Sequence, residues 1–212
     1  MPSQSNPKSA FESFNEIATI RMELEESELL IWREIEAPTL MTLMTLHDVI
    51  QSLMGWSDDH LWEFSDKTCR YSLLTEDDWN DTPWRDPAKV RLRDICERKK
   101  TVLTYVYDYG DNWRIRIVIS DIRQGDPELD YPRYLGGERA GPPEDSGGIP
   151  GFYNMLEARL DPNHPDRDDA NEFLQDYDPD KIDEVAITSE LSRIAKRLNA
   201  ERKRLLSAKQ NT

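Results

Sequence analysis

The stretch YDYGDNWRIRIVI, Tyr107 to Ile119, sets two carboxylates, Asp108 and Asp111, and the amide of Asn112 around Gly110. A second acidic pair, Glu144 and Asp145, lies in GPPEDSGG, and His60 directly follows Asp58 and Asp59. Carboxylate and amide oxygens are what hard divalent cations take as ligands. Asp108, Asp111, Glu144 and Asp145 could therefore serve a metal-dependent hydrolase or nuclease, provided the two loops converge and bring their oxygens to a shared point. His60, at the start of an expected strand, is the histidine placed to join such a polar cleft. The competing reading is local: Gly110 supplies a positive φ, while Asp111 and Asn112 are turn residues capping their own backbone. On that reading Tyr105, Tyr107 and Trp113 cover a sheet.

The proline loop carries the same two readings. Pro142 and Pro143 stiffen the chain, and Gly147 and Gly148 let it turn, so Glu144 and Asp145 are presented on a defined support. The loop is either a contact site for a ligand, cation or partner, or a clasp that crosses the sheet. Other candidates are weaker. His47 falls on the apolar face of a helix and reads as a satisfied core histidine; His164, between Pro162 and Pro165, reads as solvated. Zinc needs three or four converging nitrogen or sulfur ligands, which this chain can hardly assemble. Asp161, Asn163, Asp169 and Glu172 fit four positions of a calcium-loop template, but Asp166 stands where that loop needs glycine.

Hydropathy period locates the elements that must hold these residues. Ile17 to Glu25 and Leu29 to Glu36 alternate as two strands, and Leu43, Leu46, Ile50 and Leu53 then recur at helical spacing, with Thr42 as N-cap and Gly55 as stop. HLWEF, from His60, reads as a short strand, Thr75 to Lys89 as loop, and Leu92 to Glu97 as a short helix. The strongest hairpin pairs Thr101 to Tyr109 with Trp113 to Asp121, turning Trp113, Ile115, Ile117 and Ile119 to one side. From Gln124 to the end of GGERAGPPEDSGGIPG the chain reads as a long loop, followed by helices over 152–160, 166–174 and 189–206.

Composition narrows the function classes. The 212 residues carry a net charge of −15, with 33% charged and 37% hydrophobic residues, including 19 aromatics. Gln124 to Val185 holds 17 acids against 5 bases, whereas Ser189 to Thr212 holds 2 acids against 7 bases. Duplex binding by the main body is disfavoured, and nucleic-acid contact is open only to the basic last helix with Arg193, Lys196, Arg197, Arg202, Lys203 and Arg204. That helix reads equally as a solvated face or as docked on the chain's own acidic region. Cys69 and Cys96 show neither CxxC nor paired Cys/His spacing, so neither a disulfide scaffold nor a zinc site is expected. Residues 1–15 lack the pattern of a secretory leader and no apolar run reaches 18 residues, which predicts a cytoplasmic protein without membrane contact.

Three blocks in order, IWREIEAPTLMTLMTLHDVIQSLMGWSDDHLWEF, YVYDYGDNWRIRIVI and GERAGPPEDSGGIPGF, resemble the plasmid pRi ORF-three-like family, which includes TnpR-like passenger proteins of some insertion elements. The resemblance spans about Ile17 to Leu198 and implies an α+β, roll-like fold and an uncharacterised role. The resolvase-like label does not fit a chain without a nucleophilic serine among clustered arginines and a basic DNA-binding domain. Where the family's proline loop often carries two cysteines, this chain has Gly141 and Ser146, which removes thiol chemistry and leaves Glu144 and Asp145.

These readings combine into a single α+β domain over 16–206, between a disordered start (1–15) and a disordered tail (207–212). Its expected architecture is a mixed, largely antiparallel, roll-like sheet with a helix on one face and a helical C-terminal part. The leading function is a non-enzymatic binding or accessory module contacting an unidentified protein partner, with no cofactor. The alternative is a divalent-metal-dependent hydrolase or nuclease.

Overall fold

A computed structural model describes residues 15–73, 83–97 and 100–210 of the chain. The expected disordered start therefore lies almost wholly outside the described residues, as does most of the Thr75 to Lys89 loop. The element order is β1 (Glu16–Leu24), β2 (Trp32–Pro38), α1 (Leu43–Met54), β3 (Trp62–Ser65), β4 (Arg70–Ser72), β5 (Trp84–Arg85), α2 (Leu92–Ile95), β6 (Thr101–Tyr107), β7 (Trp113–Gln124), β8 (Arg133–Glu138), α3 (Gly148–Leu160), α4 (Arg167–Leu174) and α5 (Glu184–Gln210). All eight strands form one sheet in the order β5-β4-β3-β6-β7-β1-β2-β8. Every pairing is antiparallel except β4 with β5. This is the mixed, largely antiparallel α+β architecture read from the sequence.

Period-two patterning decides which face is core. Ile20, Met22 and Leu24 of β1, Leu103, Tyr105 and Tyr107 of β6, and Trp113, Ile115, Ile117 and Ile119 of β7 are all buried. The opposite face is charged and wet. Arg114 pairs with Glu25 at 3.3 Å, and Arg21 stacks 4.0 Å over the Trp32 ring while bonding Glu23 at 2.6 Å. α1 contributes Leu43, Leu46, Val49, Ile50 and Leu53 to the core. Its N-cap is Thr42, whose Oγ1 accepts from Thr45 N at 3.2 Å, and Gly55 ends it in the left-handed region at φ 79°; only glycine takes that conformation without strain.

Four elements depart from the sequence reading. β8 lies inside the stretch expected to be loop and pairs with β2 from Trp32↔Glu138 to Glu36↔Arg133. Its glycines hid it: Gly136 sits under the Trp32 ring, and a Cβ on Gly137 would come 2.7 Å from Trp32 O. Both mark close approach rather than turning. β4 and β5 are too short to carry a period. α5 starts earlier and runs longer than 189–206, reaching Gln210, so the expected tail is helical over most of its length.

Candidate functional site

The pairing of β3 with β6 builds the site's floor. Trp62 pairs with Tyr107, and one step beyond the ladder Asp108 N donates to Leu61 O at 2.9 Å. This brings Asp108, the first residue after β6, beside His60, which precedes β3. The hairpin turn itself is built differently from the expectation. The left-handed residues are Asp108 (φ 55°) and Asn112 (φ 54°), not Gly110. Asp and Asn tolerate that region because their short polar side chains bond locally: Asp108 Oδ1 accepts from Gly110 N at 2.8 Å. Glycine at 110 instead gives that oxygen room, since a Cβ there would lie 3.2 Å from it.

The proline loop closes over this turn, so the two acidic loops do converge. Trp56 Nε1 donates to Pro142 O at 2.9 Å, with the indole stacked on Tyr107 at 4.9 Å. Glu144 accepts from Ser57 N at 2.8 Å through one oxygen and from the Tyr107 hydroxyl through the other. The same hydroxyl accepts from Asp59 N at 3.1 Å. Burial and the neighbouring Glu144 carboxylate push the Tyr107 phenol well above its ordinary pKa, so it stays a donor. Asp111 does not cap its own turn; its Oδ2 accepts from Gly147 N at 3.0 Å. Ser146 is buried and donates to Pro143 O at 2.9 Å. Gly141 leaves no space for a side chain, because a Cβ would sit 2.3 Å from Met54 O.

The four sequence-selected carboxylates thus divide. Glu144 and Asp111 are spent as acceptors that fasten the loop. Asp108 and Asp145 instead flank His60: Asp108 Oδ2 is 3.7 Å from Nδ1, and Asp145 Oδ1 is 3.2 Å from Nε2. One ligand atom from each of His60, Asp108 and Asp145 lies within 4.8 Å of the others. Asp145, like Asp108, is left-handed, at φ 58°. Its side chain is 72% exposed against 13% for Asp108, so the cluster opens to solvent on the loop side.

His47 occupies a separate and closed network. Its Nε2 lies 2.8 Å from Asp58 Oδ1 and its Nδ1 2.8 Å from Tyr105 Oη, and its ring stacks 4.0 Å from Trp62. Gln51 Nε2 donates to the same Tyr105 oxygen at 3.0 Å, and Gln51 Oε1 accepts from Asp58 N at 2.9 Å. The Asp58 carboxylate can only accept, so His47 Nε2 carries the ring proton, and Nδ1 of the neutral ring accepts from the Tyr105 hydroxyl, which itself accepts from Gln51. Burial lowers the pKa of His47 despite the opposing pull of Asp58. The ring is a neutral core histidine. The remaining histidine, His164, accepts from Asp166 N at 3.2 Å at the start of α4.

Among the described residues no helix is long and apolar enough to cross a membrane. The uncharacterised protein y4hQ of Sinorhizobium fredii is 30% identical over 166 residues, covering 76% of this chain and 84% of that protein. Among solved structures, a protein of unknown function from Methanosarcina mazei Go1 is similar at a TM-score of 0.74 and 30% identity, covering 80% of this chain and 96% of that one. The sequence pattern of the Plasmid pRiA4b ORF-3-like proteins matches residues 16–186, which takes in every strand, α1 to α4 and the whole cluster around His60, and the chain belongs to that family.

Proposed function

We propose that the chain is a binding module organised by a divalent cation held by His60, Asp108 and Asp145, with the proline loop as the surface offered to a partner. The observation that carries this reading is the convergence of three ligand-bearing side chains from three separate segments within 4.8 Å. An imidazole with two carboxylates suits manganese, iron(II) or zinc better than calcium or magnesium. Bonds of about 2.1 Å would need the three groups somewhat closer together, and the exposed Asp145 side chain can supply that movement. An ion here would cross-link the sheet edge to the loop, completing what Glu144 and Asp111 begin. A metal-dependent hydrolase is the second reading, favoured because three protein ligands leave coordination positions on the solvent side. The free thiols of Cys69 and Cys96 support a cytoplasmic setting.

Thermal unfolding after chelator treatment, with and without millimolar manganese, zinc, magnesium or calcium, tests the reading. An ion present at a hundredfold its dissociation constant stabilises by about 2.7 kcal/mol, roughly 5–10 °C for a chain of this length. Manganese or zinc is expected to give that rise in the native chain. Asp145→Asn should abolish it while leaving the metal-free midpoint within about 2 °C, since an exposed side chain contributes little stability. No response to any of the four ions removes the cation from the account, and phosphodiester cleavage lost in Asp145→Asn would select the hydrolase.

A further inference from the structure

Arg33 stands on the core-facing side of β2, in step with Ile31 and Ile35, and is only 1% exposed. Its Nε donates to Leu53 O in the last turn of α1 at 3.0 Å, and its Nη1 donates to the carbonyls of Trp32 and Glu138 at 2.8 and 3.2 Å. The helix C-terminus favours a cation there, yet Nη2 takes part in none of these bonds. Among the described residues no carboxylate forms an ion pair with Arg33. Burial lowers the pKa of the guanidinium, but arginine keeps its charge in proteins. A buried cation without a counter-charge is costly unless something else supplies one.

Two neighbouring hydroxyls are also unspent. Tyr134 and Tyr177 both interact electrostatically with Arg33, and both hydroxyl oxygens are buried with no hydrogen-bond partner among the described residues. Gly137 makes room for this grouping: a Cβ there would lie 2.6 Å from Tyr134 Oη and 2.8 Å from Arg33 Cδ. Burial raises the pKa of both phenols, so they remain neutral donors. Beside Arg33 and Tyr177 opens a cavity of about 550 Å³ whose lining also includes Lys181 and the apolar Leu53, Phe173 and Ile187, whereas Tyr134 stands outside that lining. That volume lies in the range of small-molecule sites.

We propose that this cavity binds a small monocarboxylate with an apolar tail, its carboxylate taken by Arg33 and the hydroxyl of Tyr177. One guanidinium and one neutral donor match a single negative charge. Asp176 and Asp183 also line the cavity and oppose a multiply charged anion such as phosphate, while Lys181 offsets only one of them. The tail has the apolar wall between α1 and α5 to cover. The site is separate from the His60 cluster, although Pro142 and Pro143 border it and lead directly to Glu144 and Asp145.

Hexanoate tests the proposal, with hexanol and inorganic phosphate as controls, by calorimetric titration and thermal unfolding of the full chain. Hexanoate should bind and raise the midpoint, whereas hexanol and phosphate at equal concentration should not. Because Arg33→Ala also removes the bonds that close α1, the informative variant is Tyr177→Phe, with Tyr134→Phe, outside the lining, as its control. Each deletes a buried hydroxyl that makes no hydrogen bond among the described residues, so the ligand-free midpoint should hold or rise in both, while the hexanoate dissociation constant should increase at least about fivefold in Tyr177→Phe and by less in Tyr134→Phe. Absence of hexanoate binding overturns the proposal. So does hexanol or phosphate binding as well as hexanoate, or Tyr177→Phe retaining native affinity.

Discussion

At the scale of single residues, the clearest case of burial controlling chemistry is His47. Its lowered pKa means that the unfolded chain takes up a proton at a pH where the folded chain does not. Stability from the neutral ring is therefore fully present above the unfolded value near 6.5 and declines as pH falls below it. In urea titrations at pH 7.5 and 5, native protein should lose more stability between the two than His47→Gln. Equal losses would contradict the assignment. Tyr105→Phe should cost about 2 kcal/mol or more, since it strands both His47 Nδ1 and Gln51 Nε2 in the core. The sequence showed His47 on an apolar helix face, and so predicted its burial. It could not show Tyr105, 58 residues away, because only the packing of α1 on the sheet brings the two together. Arg33 was legible in principle: an arginine in step with Ile31 and Ile35 on an alternating strand points into the core.

At the scale of elements, the hairpin turn and the proline loop act as one fastened unit. Asp111→Ala removes the acceptor for Gly147 N and should cost about 1 kcal/mol, read as a lower urea midpoint with faster amide exchange at Ser146 to Gly148. The glycines of this region make a sharper test, because they differ in what surrounds them. Gly141→Ala drives a Cβ into the Met54 backbone and should destabilise by several kcal/mol, whereas Gly136→Ala meets only the Trp32 ring, at 3.7 Å, and should be near neutral. Comparable effects at both positions would contradict the packing described for β8 and the loop. Glycine also explains why β8 was missed. Sequence reasoning takes a Gly-Gly pair as punctuation, and nothing local reveals that Trp32 and Arg33 fill the missing side-chain space. The convergence of the two acidic loops was stated from the sequence as a condition for a metal site. Their division into fastening residues and His60-flanking residues required the backbone.

At the scale of the whole molecule, the uneven charge is put to structural use. α5 lies against α1 and β8, with Arg197 bonded to Asp48 at 2.5 Å and Asn199 to Asp130 at 2.6 Å. The basic helix is thus docked in part on the chain's own acids, while Ile187, Leu191 and Ile194 enter the core. Leu191→Ala should cost about 2–5 kcal/mol. Arg197→Ala, breaking a half-exposed pair, should cost under about 1 kcal/mol and less in high salt; the reverse ranking would mean that charge rather than burial holds α5. The pairing of β3 with β6, and the proline loop closing over the hairpin turn, deliver His60, Asp108 and Asp145 to one rim from segments far apart in sequence. The most direct test of the cation at that rim is an anomalous difference map from a crystal of the chelator-treated protein soaked in manganese chloride. One strong peak is expected about 2.0–2.3 Å from a ring nitrogen of His60 and a carboxylate oxygen each of Asp108 and Asp145. A map with no peak there, or with manganese bound only at other acidic residues, would contradict the proposed site.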